Sequence, residues 1–260
     1  EIGVRLVGSE MCIRDSLITV AFNRPEKRNA ITQDMYQAMA DAVNAYAVDD
    51  ENRALMITAD GAGDGAYFTA GNDLQDFAMG PRDESNPPVI QFLHAIKDCP
   101  KPLIAAVNGP AIGVGLTLTL HCDLVYAAQS ATFSAPFVKL GLVPEAASSL
   151  LLPEAIGMAA AMDVFMTGRT LTSEEALRMG LVSRVFEDGE LHSQARELAQ
   201  VVANAAPNAM RHAKALVRNR NDEITDRMMA ESVHFANQLQ SPEFGESVAA
   251  MMAKRPAVYP

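Results

Sequence analysis

The chain has 260 residues, of which 49% are hydrophobic and 20% are charged, which is enough for one large domain with a sizeable core. Lys and Arg total 21 against 32 Asp and Glu, and the formal net charge of −11 argues against nucleic acid as a partner. The three cysteines have neither disulfide nor zinc spacing, and no apolar run reaches transmembrane length. We therefore expect a cytoplasmic protein with no metal site and no membrane contact.

Residues 1–16 differ from the rest of the chain because they show neither the period of a strand nor that of a helix. The run at residues 7–16 resembles translated sequencing-adapter read-through. We interpret residues 1–16 as a non-native, adapter-derived segment, which would also make Cys12 a non-native residue.

From Leu17 onward, apolar runs of strand length alternate with segments of helical period, which favours an α/β fold with parallel strands. Thr32 is the expected N-cap of the first helix. A polar stretch at residues 80–88 indicates a surface loop. The predicted strands are residues 17–22, 53–58, 67–69, 102–108 and 123–127, and the predicted helices are residues 32–47, 89–98 and 113–121.

The last quarter of the chain contains only helical patterns. An all-α tail of amphipathic helices is typical of a segment that packs on its own core or on a neighbouring subunit. The predicted helices are residues 191–205, 207–220, 224–240 and 243–254.

Two short segments have the composition of anion-binding turns. At residues 68–74 a small residue and a glycine, Ala70 and Gly71, follow a short strand, and polar residues then open a helix, so backbone N–H groups could face an anion. At residues 107–116 a buried strand ends in a turn containing Gly109 and leads into an apolar helix, whose positive dipole end adds to free N–H donors. Each segment could equally be a plain strand-to-helix turn, with Asp73 as a helix cap in the first case.

Together with the run N-R-P-E-K-R-N-A at residues 23–30, these two segments resemble the enoyl-CoA hydratase/isomerase, or crotonase, family. The resemblance extends from about residue 17 to the end of the chain. It implies a crotonase-like spiral of ββα units at residues 17–195 and a helical C-terminal region at residues 196–260 that forms a homotrimer or a dimer of trimers. It also implies an acyl-CoA thioester substrate and no separate cofactor, because coenzyme A is part of the substrate.

In this family two backbone N–H groups hold the thioester oxygen, and by position these donors are Asn72 and Val114. Val114 replaces a frequent glycine, so we expect its side chain to shape the acyl pocket. The basic loop around Arg24 would lie near the phosphates of coenzyme A, although it could also be a solvated turn. The residues that the resemblance assigns to substrate and coenzyme A binding are Lys27, Arg28, Ala30, Ala70, Gly71, Asn72, Asp73, Leu74, Gly109 and Val114.

Hydratases of this family use two glutamates, but the matching positions hold Thr117 and Phe137, which cannot do acid–base work. A different carboxylate, Glu145, lies in L-G-L-V-P-E-A-A-S-S, which resembles the L-G-x-x-P-E-x-x-S-S segment of the Δ3,Δ2-enoyl-CoA isomerase branch. That branch uses the glutamate as a single base, which moves the double bond of a 3-enoyl-CoA to the trans-2 position.

Other interpretations remain open from the sequence alone. Pro144 and Glu145 also have the pattern of a helix start. The chain could catalyse another crotonase reaction, such as hydration, hydrolysis or decarboxylation. A non-catalytic or RNA-binding relative is disfavoured by the net charge and by the two oxyanion segments. His121 ends an apolar helix and is interpreted as a core residue.

Overall fold

A computed structural model describes residues 2–6, 9–14, 16–61, 65–78 and 85–259. Most of the loop predicted at residues 80–88 therefore lies outside the described residues. None of the helices within these ranges combines the length and the apolar character that a bilayer crossing requires.

The centre of the molecule is a largely parallel sheet. In the described ranges it has the strand order β1-β2-β3-β4-β5-β7-β10. The pairs β3–β4, β4–β5, β5–β7 and β7–β10 are parallel, as the alternating pattern predicted. Every residue of β3 and β4 is buried, which explains why both read as continuous apolar runs. The strands are β1 Ile2–Leu6, β2 Ser9–Arg14, β3 Leu17–Phe22, β4 Ala54–Ala59, β5 Leu103–Val107, β7 Leu124–Ala128 and β10 Arg184–Phe186.

The first residues form two strands, although their sequence shows the period of neither a strand nor a helix. β1 pairs antiparallel with β2, and β2 pairs antiparallel with β3. Main-chain hydrogen bonds can extend the open edge of a sheet without any side-chain periodicity, so the sequence pattern gave no sign of this pairing. The non-native origin of residues 1–16 stays a prediction.

A smaller sheet lies beside the end of β5. It has the order β6-β8-β9, with strands β6 Ala111–Ile112, β8 Thr132–Ser134 and β9 Leu171–Thr172. The strand predicted at residues 67–69 is wrong, because only Thr69 makes a bridge, to Ala111. The Thr69 hydroxyl donates to the carbonyl of Asn29 at 2.6 Å, and Gly71 then turns the chain with a φ of +88°.

Helices cover the sheet and form the C-terminal region. As predicted, Thr32 caps α1, since its side chain accepts from the N–H of Met35. The helix predicted at 113–121 is a short α4 followed by a 3-10 helix at Leu118–His121. The described α-helices are α1 Gln33–Val48, α2 Leu74–Ala78, α3 Pro88–Asp98, α4 Val114–Thr117, α5 Ser148–Ile156, α6 Met158–Thr167, α7 Ser173–Met179, α8 Leu191–Ala203, α9 Pro207–Val217, α10 Asn221–Leu239 and α11 Pro242–Met252.

The all-α tail agrees with the helices predicted beyond residue 187. The boundary expected between residues 195 and 196 falls inside α8, whose buried face packs along β4, β5 and β7. One continuous helix therefore belongs to both predicted parts of the chain. Helix α10 returns to the core, and its side chains reach the loop that precedes α5.

Candidate active site

The two predicted oxyanion segments lie against each other. The N–H of Thr69 donates to the carbonyl of Pro110 at 3.1 Å, and the N–H of Ile112 donates to the carbonyl of Thr69 at 3.0 Å. Gly115 permits this approach, because a Cβ there would lie 2.6 Å from Cγ2 of Thr69. Gly71 is needed for both its positive φ and its space, since a Cβ would lie 3.0 Å from the carbonyl oxygen of Ile112.

Both predicted donors have free backbone N–H groups. The neighbouring amides are occupied: Gly71 donates to the Thr69 hydroxyl, Asp73 to the carbonyl of Ile31, and Gly113 to that of Ser134. Within the described part of the chain, the N–H groups of Asn72 and Val114 have no acceptor. Val114 is the first residue of α4, where helical N–H groups have no partner inside the helix.

Tyr36 fixes the first of these segments from α1. Its hydroxyl donates to Oδ1 of Asn72 at 2.6 Å, and its side chain is buried. Burial, together with the charge of Glu145, raises the pKa of Tyr36 well above its usual value, so the hydroxyl stays protonated and acts as the donor. The Asn72 side chain thereby anchors the loop that carries the free backbone N–H of the same residue.

Glu145 lies within hydrogen-bond distance of the helix that begins at Val114. The hydroxyl of Thr117, one turn along α4, donates to Oε1 of Glu145 at 2.5 Å. The isomerase-like carboxylate therefore lies beside the position that holds the first glutamate in hydratases. The second hydratase position, Phe137, is buried and packs against Phe165 with 6.5 Å between ring centroids.

Glu145 is not part of a helix start, so that interpretation is wrong. α5 begins three residues later, at Ser148. Between them Ala146 and Ala147 adopt left-handed conformations, with φ values of 57° and 55°. The carbonyl of Glu145 accepts from the N–H of Ser148 at 2.9 Å, which closes a tight turn.

The environment of Glu145 suits a base that works near neutral pH. Burial raises the pKa of Glu145 to about 7, the hydrogen bond from Thr117 opposes this rise, and the charge of Glu231 adds to it. A carboxylate in this range can accept a proton and release it again without a large energetic penalty in either direction.

A cavity of about 410 Å³ opens beside Glu145 and Asn72. Its wall is mostly apolar, and this volume is within the range of small-molecule sites. Val114 is buried but is not among the lining residues, contrary to the expectation that its side chain shapes the pocket. Apolar residues of the wall are Ile31, Val89, Ile90, Leu93, Met228, Phe235 and Leu239.

In the basic loop at residues 24–28, one cationic side chain is bonded within the protein and the others are free to contact a ligand. Arg24 donates to the carbonyl of Ala30 at 2.9 Å and forms an ion pair of 2.7 Å with Asp73, so it holds the loop against the first oxyanion segment. Arg28 lies over the ring of Tyr67, 5.3 Å from its centroid. Lys27 is exposed, and its ammonium group has no ion-pair partner among the described residues.

The remaining predicted contact residues have local structural roles. Asp73 caps α2, since its Oδ1 accepts from the N–H of Asp76 at 3.2 Å, and Leu74 is the first residue of that helix. The N–H of Ala70 is taken by the carbonyl of Arg28. Gly109 allows close packing, because a Cβ there would lie 2.3 Å from the carbonyl oxygen of Ala66.

Sequence reasoning did not find Tyr36 or Glu231. Glu231 is buried on α10, and each of its carboxylate oxygens accepts a backbone N–H from the turn after Glu145. One signal was readable: Glu231 continues the helical spacing of Ile224 and Met228, so an acid occupies an apolar stripe. His121 is the core residue expected, and its ring Nε2 lies 2.8 Å from the carbonyl oxygen of Ala146.

Comparison with known proteins assigns the family. A family model described as enoyl-CoA hydratase/isomerase matches residues 13–260. The chain belongs to the enoyl-CoA hydratase/isomerase family. The crystal structure of an enoyl-CoA hydratase/isomerase from Pseudoalteromonas atlantica T6c is 47% identical, covers 97% of this chain and 100% of that chain, and superimposes with a TM-score of 0.93. The predicted crotonase-like fold is thus confirmed.

Relatives in the family carry different names. Enoyl-CoA delta isomerase 2 of Rattus norvegicus is 39% identical over 210 residues, which cover 78% of this chain and 52% of that protein. The chain therefore spans about half the length of the first curated relatives it matches. The 4-chlorobenzoyl coenzyme A dehalogenase-2 of Arthrobacter sp is 33% identical over 252 residues, covering 92% of this chain and 88% of that protein. Family membership alone does not select one reaction.

Proposed function

We propose that this protein is an acyl-CoA isomerase that moves the double bond of a 3-enoyl-CoA to the trans-2 position. The single observation that carries the proposal is the position of Glu145, hydrogen-bonded to Thr117 on the same short helix that presents the free N–H of Val114. The four-residue helix α4 therefore holds the oxyanion donor at its first residue and contacts the base from its last residue.

The reaction needs one base and no co-substrate. The Glu145 carboxylate removes a proton from C2 of the 3-enoyl thioester. The electrons of the C2–H bond form a double bond between C1 and C2, and those of the carbonyl double bond move to the thioester oxygen. The N–H groups of Asn72 and Val114 stabilise the resulting dienolate. The proton then returns from Glu145 to C4, the double bond forms between C2 and C3, and no atom is gained or lost.

The rest of the site supports an acyl-CoA ligand. The apolar cavity beside Glu145 can receive an acyl chain. Lys27 and Arg28 provide cationic groups for the phosphates of coenzyme A, which an acidic protein needs at the ligand's charged end. The similarity to a protein named enoyl-CoA delta isomerase 2 supports isomerisation as the reaction. The similarity to a protein named as a dehalogenase supports the alternative, another reaction on an acyl-CoA.

The oligomer that we propose is a homotrimer or a dimer of trimers. Helix α6 supports it, because Met158, Met162 and Met166 recur at helical spacing and are all exposed in the single chain. A row of exposed methionines is costly in water and is stabilised when another apolar surface covers it.

Product analysis tests the proposed reaction. The protein is incubated separately with a 3-enoyl-CoA and with a trans-2-enoyl-CoA, and the products are identified by mass and by chromatography against standards. We expect trans-2-enoyl-CoA from the first substrate. Hydroxyacyl-CoA from the second substrate, with no isomerisation of the first, would show a hydratase instead.

A further inference from the structure

A second buried carboxylate, Glu231, lines the same cavity as Glu145. Glu231 is only 6% exposed and comes from α10, more than 80 residues further along the chain. Its Oε2 accepts from the N–H of Ala147 at 2.6 Å, and its Oε1 accepts from the N–H of Ser149 at 2.9 Å. Each oxygen therefore accepts from a backbone donor of the segment that follows Glu145.

The two hydrogen bonds hold a turn that the sequence does not favour. Ala146 and Ala147 both have positive φ values, and alanine gains nothing from a left-handed conformation that would favour glycine or asparagine. His121, at the end of the 3-10 helix that follows α4, contacts the carbonyl oxygen of Ala146 at 2.8 Å. The direction of the Glu145 side chain thus depends on a backbone that Glu231 and His121 clamp from two elements.

We propose that Glu231 is a positioning residue for Glu145: it holds the left-handed turn that carries Glu145 and places a second negative charge beside it. The proposal rests on the proposed role of Glu145 as the base. It assigns a function to the C-terminal region within the same chain, because the catalytic turn keeps its conformation only while α10 is docked on the core.

The charge of Glu231 raises the pKa of Glu145, and the other polar groups around Glu145 are neutral or already paired. Tyr36 stays protonated, and burial lowers the pKa of His121 to about 4, so its ring is neutral at pH 7. Asp76 lines the same cavity but accepts from the N–H of Gln33 at 2.7 Å. The helix α3 contributes only apolar residues to this wall. Burial raises the pKa of Glu231, whereas the hydrogen bonds from Ser149 and Ala147 and the charge of Arg227 oppose this rise. Arg227 also donates to the Ser149 hydroxyl at 3.3 Å.

The variant Glu231→Gln tests the proposal, because it keeps the size of the side chain and removes its charge. We expect the pKa of Glu145 to fall by about half a unit to one unit, since a like charge no longer opposes its ionisation. The titration is read from the carboxyl stretch in infrared difference spectra, with Glu145→Gln identifying the band. We also expect kcat for isomerisation to fall roughly tenfold while KM stays within about twofold, because positioning and not binding is lost.

The matched control is Asp226→Asn, which removes the same charge from an exposed position on the same helix. It should leave the Glu145 titration and the kinetics as in the wild type. An unchanged Glu145 pKa in Glu231→Gln, or an equal shift in Asp226→Asn, overturns the proposal.

A second variant, Glu231→Asp, keeps the charge but is too short to reach both N–H groups, and it serves if Glu231→Gln does not fold. We expect a wild-type Glu145 pKa with a reduced kcat, whereas wild-type kcat would contradict the positioning role. If the protein does not isomerise a 3-enoyl-CoA at all, the proposed function fails, while the infrared titration still decides the relationship between the two carboxylates.

Discussion

The Thr117 hydroxyl donates a hydrogen bond of 2.5 Å to the Glu145 carboxylate. In the hydratase pattern the position of Thr117 holds a glutamate. Here Thr117 instead orients the carboxylate of Glu145, which belongs to a different loop. With Thr117 and Phe137 at the two hydratase positions, Glu145 is the carboxylate that contacts α4. One base suits the transfer of a proton between two carbons, whereas hydration also requires the activation of a water molecule.

The first prediction concerns the pH dependence of isomerisation. Glu145 accepts a proton only when it is ionised, and burial raises its pKa to about 7. We therefore expect kcat/KM to fall about tenfold per pH unit below pH 7 and to level off above it. Initial rates with a 3-enoyl-CoA between pH 5 and pH 9 measure this limb. A limb near 4.5, or no limb, would mean that Glu145 is either solvated or not the base.

Thr117→Val should move this limb in the opposite direction from Glu231→Gln. The hydroxyl lowers the pKa of Glu145, so its replacement by a methyl group of similar size raises that pKa and shifts the acid limb to higher pH. We expect a shift of about one unit, the value of one hydrogen bond to a charged group. The same pH profile measures it, and a shift to lower pH would be incompatible with the observed contact.

Tyr36→Phe tests the anchor of the first oxyanion segment. The variant removes the hydroxyl that donates to Asn72 and leaves Oδ1 without that donor. We expect kcat to fall about tenfold, since a loss of roughly 1.4 kcal/mol of transition-state stabilisation follows when an oxyanion donor is less well held. The matched control is Tyr46→Phe, whose hydroxyl donates to Pro102 away from the cavity. That control should lose stability but keep its kcat, and equal losses of kcat in both would refute the specific role of Tyr36.

Gly71→Ala tests the backbone conformation of the same segment. The φ of +88° is strained for alanine, and the new Cβ would lie 3.0 Å from the carbonyl oxygen of Ile112. We expect a loss of about 1–3 kcal/mol in the free energy of unfolding, measured by chemical denaturation, together with a lower kcat. Gly189→Ala is the control, because a Cβ there meets nothing within 4 Å and φ is not positive. If both substitutions were tolerated equally, Gly71 would not be required by its geometry.

Those parts of the fold that depend on local pattern were predictable from the sequence. β3 is an apolar run of six residues, and α1 begins after a threonine that caps it. The two oxyanion segments were recognisable from their small residues and glycines, although the contacts that require Gly71 and Gly115 are made between the two segments. The strand predicted at residues 67–69 is not formed, because only Thr69 pairs with the neighbouring segment, at Ala111.

The features that were missed depend on contacts between distant parts of the chain. Pro144 and Glu145 have the same local pattern as a helix start, and only the left-handed alanines that follow separate the two interpretations. Alanine carries no sequence signal for that conformation. Glu231 stabilises the turn from 84 residues away from Ala147, and no local pattern could have paired them.

The most direct test of the central claim, that Glu145 is the single base of an isomerase, is the single-turnover rate of 3-enoyl-CoA isomerisation in Glu145→Gln. Glutamine keeps the size of the side chain and its contact with Thr117 but cannot accept the proton. We predict a rate at least about two orders of magnitude below that of the wild type, with unchanged binding of the substrate and an intact fold by circular dichroism. A folded Glu145→Gln protein that isomerises 3-enoyl-CoA at the wild-type rate would contradict the claim.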